Sequence, residues 1–286
     1  MRVRIEHETH YAYGAQIRSL IQILRMTPRS HDGQHVLRWR IEPSIDGRLR
    51  QSEDPLGNIV HSFSAEGGAE EFTLRVTGEI ETTDTAGIIA GTVERVPQIY
   101  FLRDTELTLA DEDMRAFAEK CVEPGGDDLK TLHRMMNALN GEIAFDTEPT
   151  HVATTASEAF AMRSGVCQDL THIFIACARH LGIPARYVSG YFFRSDGVVA
   201  QDAGHAWVEA KTKDLGWVGF DATNGIATTD AHVRVAIGLD YLGAAPVRGS
   251  RYGGGGETMT VRLNVEEAPA GKPGRGQAQR QSQSQG

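Results

Sequence analysis

The strongest constraint on the fold lies in the first 83 residues, where apolar side chains recur at every second position. In HVLRWRIE (35–42), Leu37, Trp39 and Ile41 fall on one face of an extended chain, and Arg38, Arg40 and Glu42 fall on the other. EFTLRVTGEI (71–80) repeats the pattern with Phe72, Leu74, Val76 and Ile80. A period of two makes one side of a sheet apolar, and that side needs a second layer to cover it. DPLGN (54–58) puts Pro and Gly where a turn between strands wants them. Residues 1–83 are therefore expected to form an N-terminal antiparallel β-sandwich domain.

The pattern changes at TTDTAGIIAG (82–91), a candidate domain boundary. VPQIYFLRDTELTLADEDMRAFAEK (96–120) has an Asp-rich start before a helical pattern, and a second helix covers about Leu129–Asn140. SEAFAMR (157–163) makes a short helical turn before SGVCQDLTHIFIACARHLGIPARYVSGYF (164–192). Strand-like runs follow at ARYVSGYF, GHAWVEA (204–210), GWVGFDA (216–222) and TMTVRLNVEE (258–267). Helices followed by strands predict an α+β domain over 84–267 with a mostly antiparallel sheet. Residues 268–286 are too poor in apolar side chains to offset their ordering entropy and are expected to be a disordered tail.

Charge and cysteine usage narrow the function classes. With 29 basic and 38 acidic residues the formal charge is -9, so the attraction to phosphate that nucleic-acid binding requires is missing. MRVRIEHETHYAYG alternates from its start, and no segment approaches about 18 unbroken apolar residues, so neither a signal peptide nor a membrane span is expected. Cys121, Cys167 and Cys177 form no CxxC and leave an odd thiol, which suits a reducing compartment and makes the cytoplasm the expected location.

Helical spacing separates two of these thiols. At about 100° per residue, Cys177 lies above Leu170 and shares a stripe with Ile173, Phe174 and Leu181, which assigns it to the core. Cys167 falls in the first turn after Gly165, where unpaired backbone N–H groups and the helix dipole favour a thiolate. A buried core thiol is the bland alternative, and partners must decide. A nucleophilic thiol needs a base, and the base needs an orienting acceptor. GHAWVEA and GWVGFDA flank the charged KTKDL, so they should form a hairpin; if Ala210 pairs with Gly216, His205 falls directly opposite Asp221. Opposed residues share a face with Cβ atoms about 5 Å apart, close enough for the carboxylate to fix the imidazole tautomer. A slip of one residue would separate them.

Other candidates carry less. HDGQH (31–35) lies between strands and reads as a loop, and there is no HExxH. DED (111–113) and GGDD (125–128) lack the spacing of a calcium loop and fit helix starts. GGGG (253–256) precedes a strand, so it is no phosphate cradle. Asp169 is expected to interact with its own helix dipole, and Trp207 is either core or site wall. No metal and no cofactor are expected.

The Cys167, His205 and Asp221 motifs, in that order, resemble the bacterial transglutaminase-like cysteine protease family, within the papain-like transglutaminase superfamily. Residues 1–83, with MTPRS and DPLGN, resemble that family's N-terminal β domain, and residues 233–265 its C-terminal portion. Ala222 stands where the family commonly has proline. The resemblance implies a papain-like/transglutaminase-like catalytic domain, with Cys167 as nucleophile, His205 as general base and acid, and Asp221 as orienter. It implies a peptide or protein substrate attacked through a thioester, with the Cys167 backbone N–H as one oxyanion donor and the second unidentified. Hydrolysis is favoured because no calcium loop is seen. The alternatives are cross-linking or deamidation of glutamine, and a non-catalytic binding module. The oligomeric state and the role of the β domain stay open.

Overall fold

The computed structural model describes residues 1–268; the expected tail lies outside them apart from Ala268. Six strands open the chain: β1 (Arg2–Tyr13), β2 (Ile17–Thr27), β3 (Gln34–Pro43), β4 (Arg48–Glu53), β5 (Ile59–Glu66) and β6 (Glu71–Thr82). The period-two pattern is realised as burial, with Val3, Ile5, His7, Thr9, Tyr11 and Tyr13 of β1 all turned inward. Two antiparallel sheets face each other across Tyr11, Phe72, Leu74 and Val76 on one side and Leu20, Leu24 and Phe63 on the other. Phe63 and Phe72 stack at 5.4 Å. Each fully buried side chain of this size contributes roughly 1.5–3 kcal/mol of transfer free energy.

After β7 (Ile88–Ile89) come the helices α1 (Glu112–Cys121) and α2 (Asp128–Glu142). The acidic clusters start them as expected: Asp111 accepts from Met114 N (2.9 Å) and Asp127 from Lys130 N (3.1 Å). The short β8 (Ala144–Phe145), α3 (Ala156–Met162) and β9 (Ser164–Gly165) then lead into α4 (Cys167–His180). The remaining elements are β10 (Ala185–Phe192), β11 (Ala200–Gln201), β12 (His205–Thr212), β13 (Gly216–Asp221), β14 (Ile226–Ala227), β15 (His232–Gly238), α5 (Tyr241–Ala244), β16 (Val247–Gly253) and β17 (Glu257–Glu267). The helices pack on an antiparallel sheet in the order β14-β13-β12-β10-β15, which gives the expected mixed α+β class.

Two expectations are corrected. The expected boundaries left everything up to residue 267 in the second domain, but β17 pairs along the whole of β1 and β16 pairs with β2. The N-terminal sheets are thus completed by strands more than 220 residues away, a long-range pairing that local periodicity does not encode. The hairpin register also differs: Ala210 pairs with Val218, and Thr212 closes the turn against Gly216. Gly216 adopts φ 80°, which lets a three-residue loop reverse the chain. The shift is two residues, so parity survives and His205 and Asp221 still share a face, now as diagonal neighbours.

The N-terminal sheets are bound to the edge of the second sheet by side-chain amides. Gln34 accepts from Arg234 N (2.8 Å) and donates to Arg234 O (2.9 Å), and Asn58 does the same to Ile237 N and O, both at 2.8 Å. The two amides act as a missing neighbour for β15 and satisfy backbone groups that an edge strand would leave open. Asn58 belongs to the DPLGN turn, which Asp54 shapes by accepting from Leu56 N and Asn58 N. Apolar contact between Val3, Ile5 and Ile80 and Tyr191, Val233 and Val235 seals the same junction.

Candidate active site

Cys167 is the first residue of α4, and the chain reaches it along a constrained path. Asp146 N donates to Gly165 O (3.0 Å), which ties the β8 segment to the residue two before the cysteine. Asp169 then reaches back to accept from Val166 N (2.8 Å) and from Thr150 Oγ1 (2.8 Å), capping the helix start. A Cβ on Gly165 would lie 2.7 Å from the Asp169 carboxylate, so the close approach requires glycine. Asp169 is therefore engaged at its helix start, as expected, and burial pushes its carboxyl up. Cys167 is half-buried, and as the first helical residue it has a backbone N–H that the helix cannot use. Cys177, in contrast, is buried completely and its thiol faces Met114 O at 3.6 Å. Burial pushes that thiol far up, as suits a core position.

His205 starts β12 and Asp221 ends β13. The ring Nε2 lies 2.7 Å from Asp221 Oδ2, with the carboxylate fully buried and the imidazole 11% exposed. Burial works against charge on His205, but the hydrogen-bonded Asp221 carboxylate and the neighbouring Cys167 thiol outweigh that and push the imidazole up to about 10. The structure thus brings Cys167, His205 and Asp221 into one neighbourhood, with the His205 Nε2 turned to the carboxylate and Nδ1 as the ring's other nitrogen.

Asp221 is more heavily coordinated than a two-partner reading requires. Its Oδ1 accepts from Thr223 N (3.1 Å) and Asn224 N (3.2 Å). Its Oδ2 accepts from Asn224 Nδ2 (2.7 Å) and is met by His232 Nε2 (3.1 Å) in addition to His205. Burial alone would push this carboxyl up, yet the bonds from His205 and His232 hold it well below the usual carboxylate range. Asn140 of α2 fastens the turn behind it by donating to Ala222 O (3.1 Å) and Thr223 O (2.8 Å).

The sequence reading missed His232, Asn224 and Asn140. His232 pairs with Phe192 on β10, and β10 in turn pairs with β12, so its approach to Asp221 crosses two strand neighbours and leaves no local signal. Trp207 is 2% exposed and its ring packs perpendicular to His232 at 5.2 Å, which makes it a floor beneath the histidines. Gly190 makes room for it, since a Cβ there would lie 2.6 Å from the indole. HDGQH forms a turn, His31 bridging to Gln34 at the start of β3.

His205, Asp221 and His232 offer ligand atoms within 4.8 Å of one another, a spacing that raises the question of a metal. A divalent ion would need those atoms about 2.0–2.2 Å from a common centre. Here the carboxylate oxygen itself occupies the middle, at hydrogen-bond distances from both ring nitrogens, so the set fits proton sharing better than coordination.

Comparison with known proteins agrees with this architecture. Residues 115–222 match the transglutaminase-like superfamily core, and residues 3–81 match the bacterial transglutaminase-like N-terminal region. An uncharacterized protein of Mycobacterium leprae is 26% identical over 278 residues, covering 92% of this chain and 98% of that protein. An uncharacterized protein of Mycobacterium tuberculosis is 26% identical over 293 residues, covering 94% and 93%. The crystal structure of a candidate cysteine protease from Cytophaga hutchinsonii superposes with a TM-score of 0.76 at 20% identity, covering 95% of this chain and 92% of that one, a likeness of fold. The chain carries a transglutaminase-like superfamily core, with the bacterial transglutaminase-like N-terminal region ahead of it.

Proposed function

We propose that the protein is a cysteine-nucleophile acyl-transfer enzyme that hydrolyses peptide or related amide bonds, with Cys167 as nucleophile, His205 as base and acid, and Asp221 as its orienter. The observation that carries this reading is the 2.7 Å His205–Asp221 bond, made by a histidine that also partners the helix-tip Cys167. A histidine that stays charged at neutral pH beside a thiol supports a thiolate–imidazolium pair. In the proposed reaction the sulfur bonds to the carbonyl carbon, the C–N bond breaks, and the His205 proton leaves on the amine. Water then attacks the thioester, gives its proton to His205, and releases the acid and the free thiol. The Cys167 N–H is suited to the developing oxyanion.

Hydrolysis is preferred over amine transfer because the acidic clusters that a calcium-gated cross-linker would need serve as helix caps here. The partner proposed is a peptide or protein rather than a nucleic acid or a membrane, and the three free thiols favour a cytoplasmic setting. No helix among the described residues is long and apolar enough to cross a membrane.

Mass spectrometry of glutamine-containing peptides incubated with the protein and a primary amine tests the reading. Cleaved or deamidated peptide is expected, and Cys167→Ala should abolish it. Amine incorporation would replace hydrolysis with transfer. Product formation that survives Cys167→Ala would remove the proposed nucleophile, and intact peptide throughout would favour a binding module.

A further inference from the structure

The ring of His232 is held by a donor on one side and an acceptor on the other. Its Nδ1 faces Thr229 N at 3.1 Å, and its Nε2 faces Asp221 Oδ2 at 3.1 Å. A backbone N–H can only donate, so Nδ1 is the unprotonated nitrogen and the ring proton is on Nε2. The side chain is 2% exposed, and a second proton would have to enter at Nδ1, against the Thr229 N–H. Burial acts in the same direction and lowers the ring's affinity for a proton. His232 is therefore a neutral donor aimed at the carboxylate that binds His205.

The ring's placement is built in from several sides. Phe192 and Trp207 pack against it at 4.8 and 5.2 Å. The turn that supplies Thr229 is closed by His232 N donating to Thr229 O (3.1 Å). It is gripped by the N-terminal sheets, where Thr82 Oγ1 donates to Asp230 O (2.6 Å). The titratable groups that act directly on His232 are Asp221 and His205. His31, Glu209 and Arg234 line the small cavity beside it, and Glu209 is already paired with Arg234 at 2.6 Å.

We infer that His232 is a positioning residue of the proposed centre, fixing the Asp221 carboxylate and moderating its pull on the His205 proton. The inference rests on the proposed function. Each donor shared by a carboxylate spreads its charge and weakens its attraction for the next. His205 has to hold a proton beside the thiolate and later release it to the leaving amine, so an unmoderated Asp221 would make it a poorer acid. Of the side-chain donors that share Oδ2 with His205, Asn224 is exposed and His232 is buried, so His232 is the one that solvent does not compete away.

The test combines nitrogen-15 NMR of the histidine rings with two variants. In the wild type, His232 should show the neutral Nε2–H pattern from pH 6 to 9, while His205 titrates near 10. His232→Phe keeps the aromatic packing and removes the donor; the His205 titration should move to higher pH, and kcat in the peptide assay should fall about tenfold with KM unchanged. His232→Gln returns an N–H near the Nε2 position and should recover most of both effects. A His232 ring that is charged or protonated on Nδ1 in the wild type overturns the inference without any variant. A folded Phe variant with wild-type titration and kcat overturns it as well, as does a Gln variant impaired as much as Phe. Loss of activity on chelation, restored by zinc alone, would make the trio a metal site and also overturn it. If wild-type Cys167 reacts with iodoacetamide no faster than a model thiol at pH 6, the proposed function itself falls, a result distinct from failure of the His232 variants.

Discussion

Replacing Asp221 with asparagine should disable the centre without dismantling the fold, and the hydrogen bonds show how. Oδ1 receives two backbone N–H groups, from Thr223 and Asn224, so the amide oxygen of the variant belongs there. Its NH2 then takes the place of Oδ2, facing His205, His232 and Asn224, which all donated to that oxygen. His205 can make a bond only by accepting on Nε2, which puts its own proton on Nδ1, toward Cys167. In that tautomer it cannot take the thiol proton. The imidazole is held well above its ordinary 6.5, up to about 10. Burial opposes that lift, and Asp221 and Cys167 share in producing it. A hydrogen bond between charged partners is worth roughly 1.5–3 kcal/mol, and losing it together with the useful tautomer corresponds to about a hundredfold in the population of the ion pair. The assay is the second-order rate of Cys167 alkylation by iodoacetamide at pH 7, located by peptide mass spectrometry. Asp221→Asn should alkylate about a hundredfold more slowly than the wild type. A rate within twofold of the wild type, in a variant with a native near-ultraviolet spectrum, would refute the argument.

Stability should follow the same two groups. His205 is raised in the folded state, so its contribution is complete below 6.5 and is lost as pH rises through about 10; Asp221 is depressed, so its contribution is complete above 3.8 and is lost on acidification. Thermal melts across pH should show both slopes in the wild type and flatter ones in Asp221→Asn. Gln34→Leu leaves the N–H and C=O of Arg234 without their partner and should cost about 2 kcal/mol, read as a lower melting temperature; an unchanged melt would deny the amides their bracing role. Glu209→Gln removes the charge between Arg186 and Arg234, each 2.6 Å from the carboxylate, with Arg186 fully buried. Denaturant unfolding should register a loss of about 3 kcal/mol, and a neutral result would mean water or Glu94 compensates.

What the sequence revealed was whatever a short window can hold. Alternation named the strands, helical angle separated Cys177 from Cys167, and hairpin parity placed His205 and Asp221 on one face despite a two-residue error in register. Parity is robust in this way because a side chain returns to its face every second residue. Apart from Asn224, three residues beyond Asp221 in the same turn, the misses are contacts between separate elements. His232 meets Asp221 across an intervening pair of strands, Asn140 reaches it from a helix, and Gln34 and Asn58 bind β15 from about 180 to 200 residues away. Nothing in the composition of HVRVAIG marks its first residue as different from an ordinary strand-end histidine.

The pairing of β17 with β1 governs the order of assembly during synthesis. A ribosome releases β1 early and β17 some 250 residues later, so the first strand must wait with one edge bare until nearly the whole described chain has emerged. β2 waits likewise for β16. Expression of residues 1–83 alone would leave both edges permanently exposed, a recipe for self-association rather than for an isolated domain. The helices and sheet that hold Cys167 are thus spliced into the sandwich as one long excursion, and closing that excursion is the slow, entropically demanding step expected of pairings with high contact order.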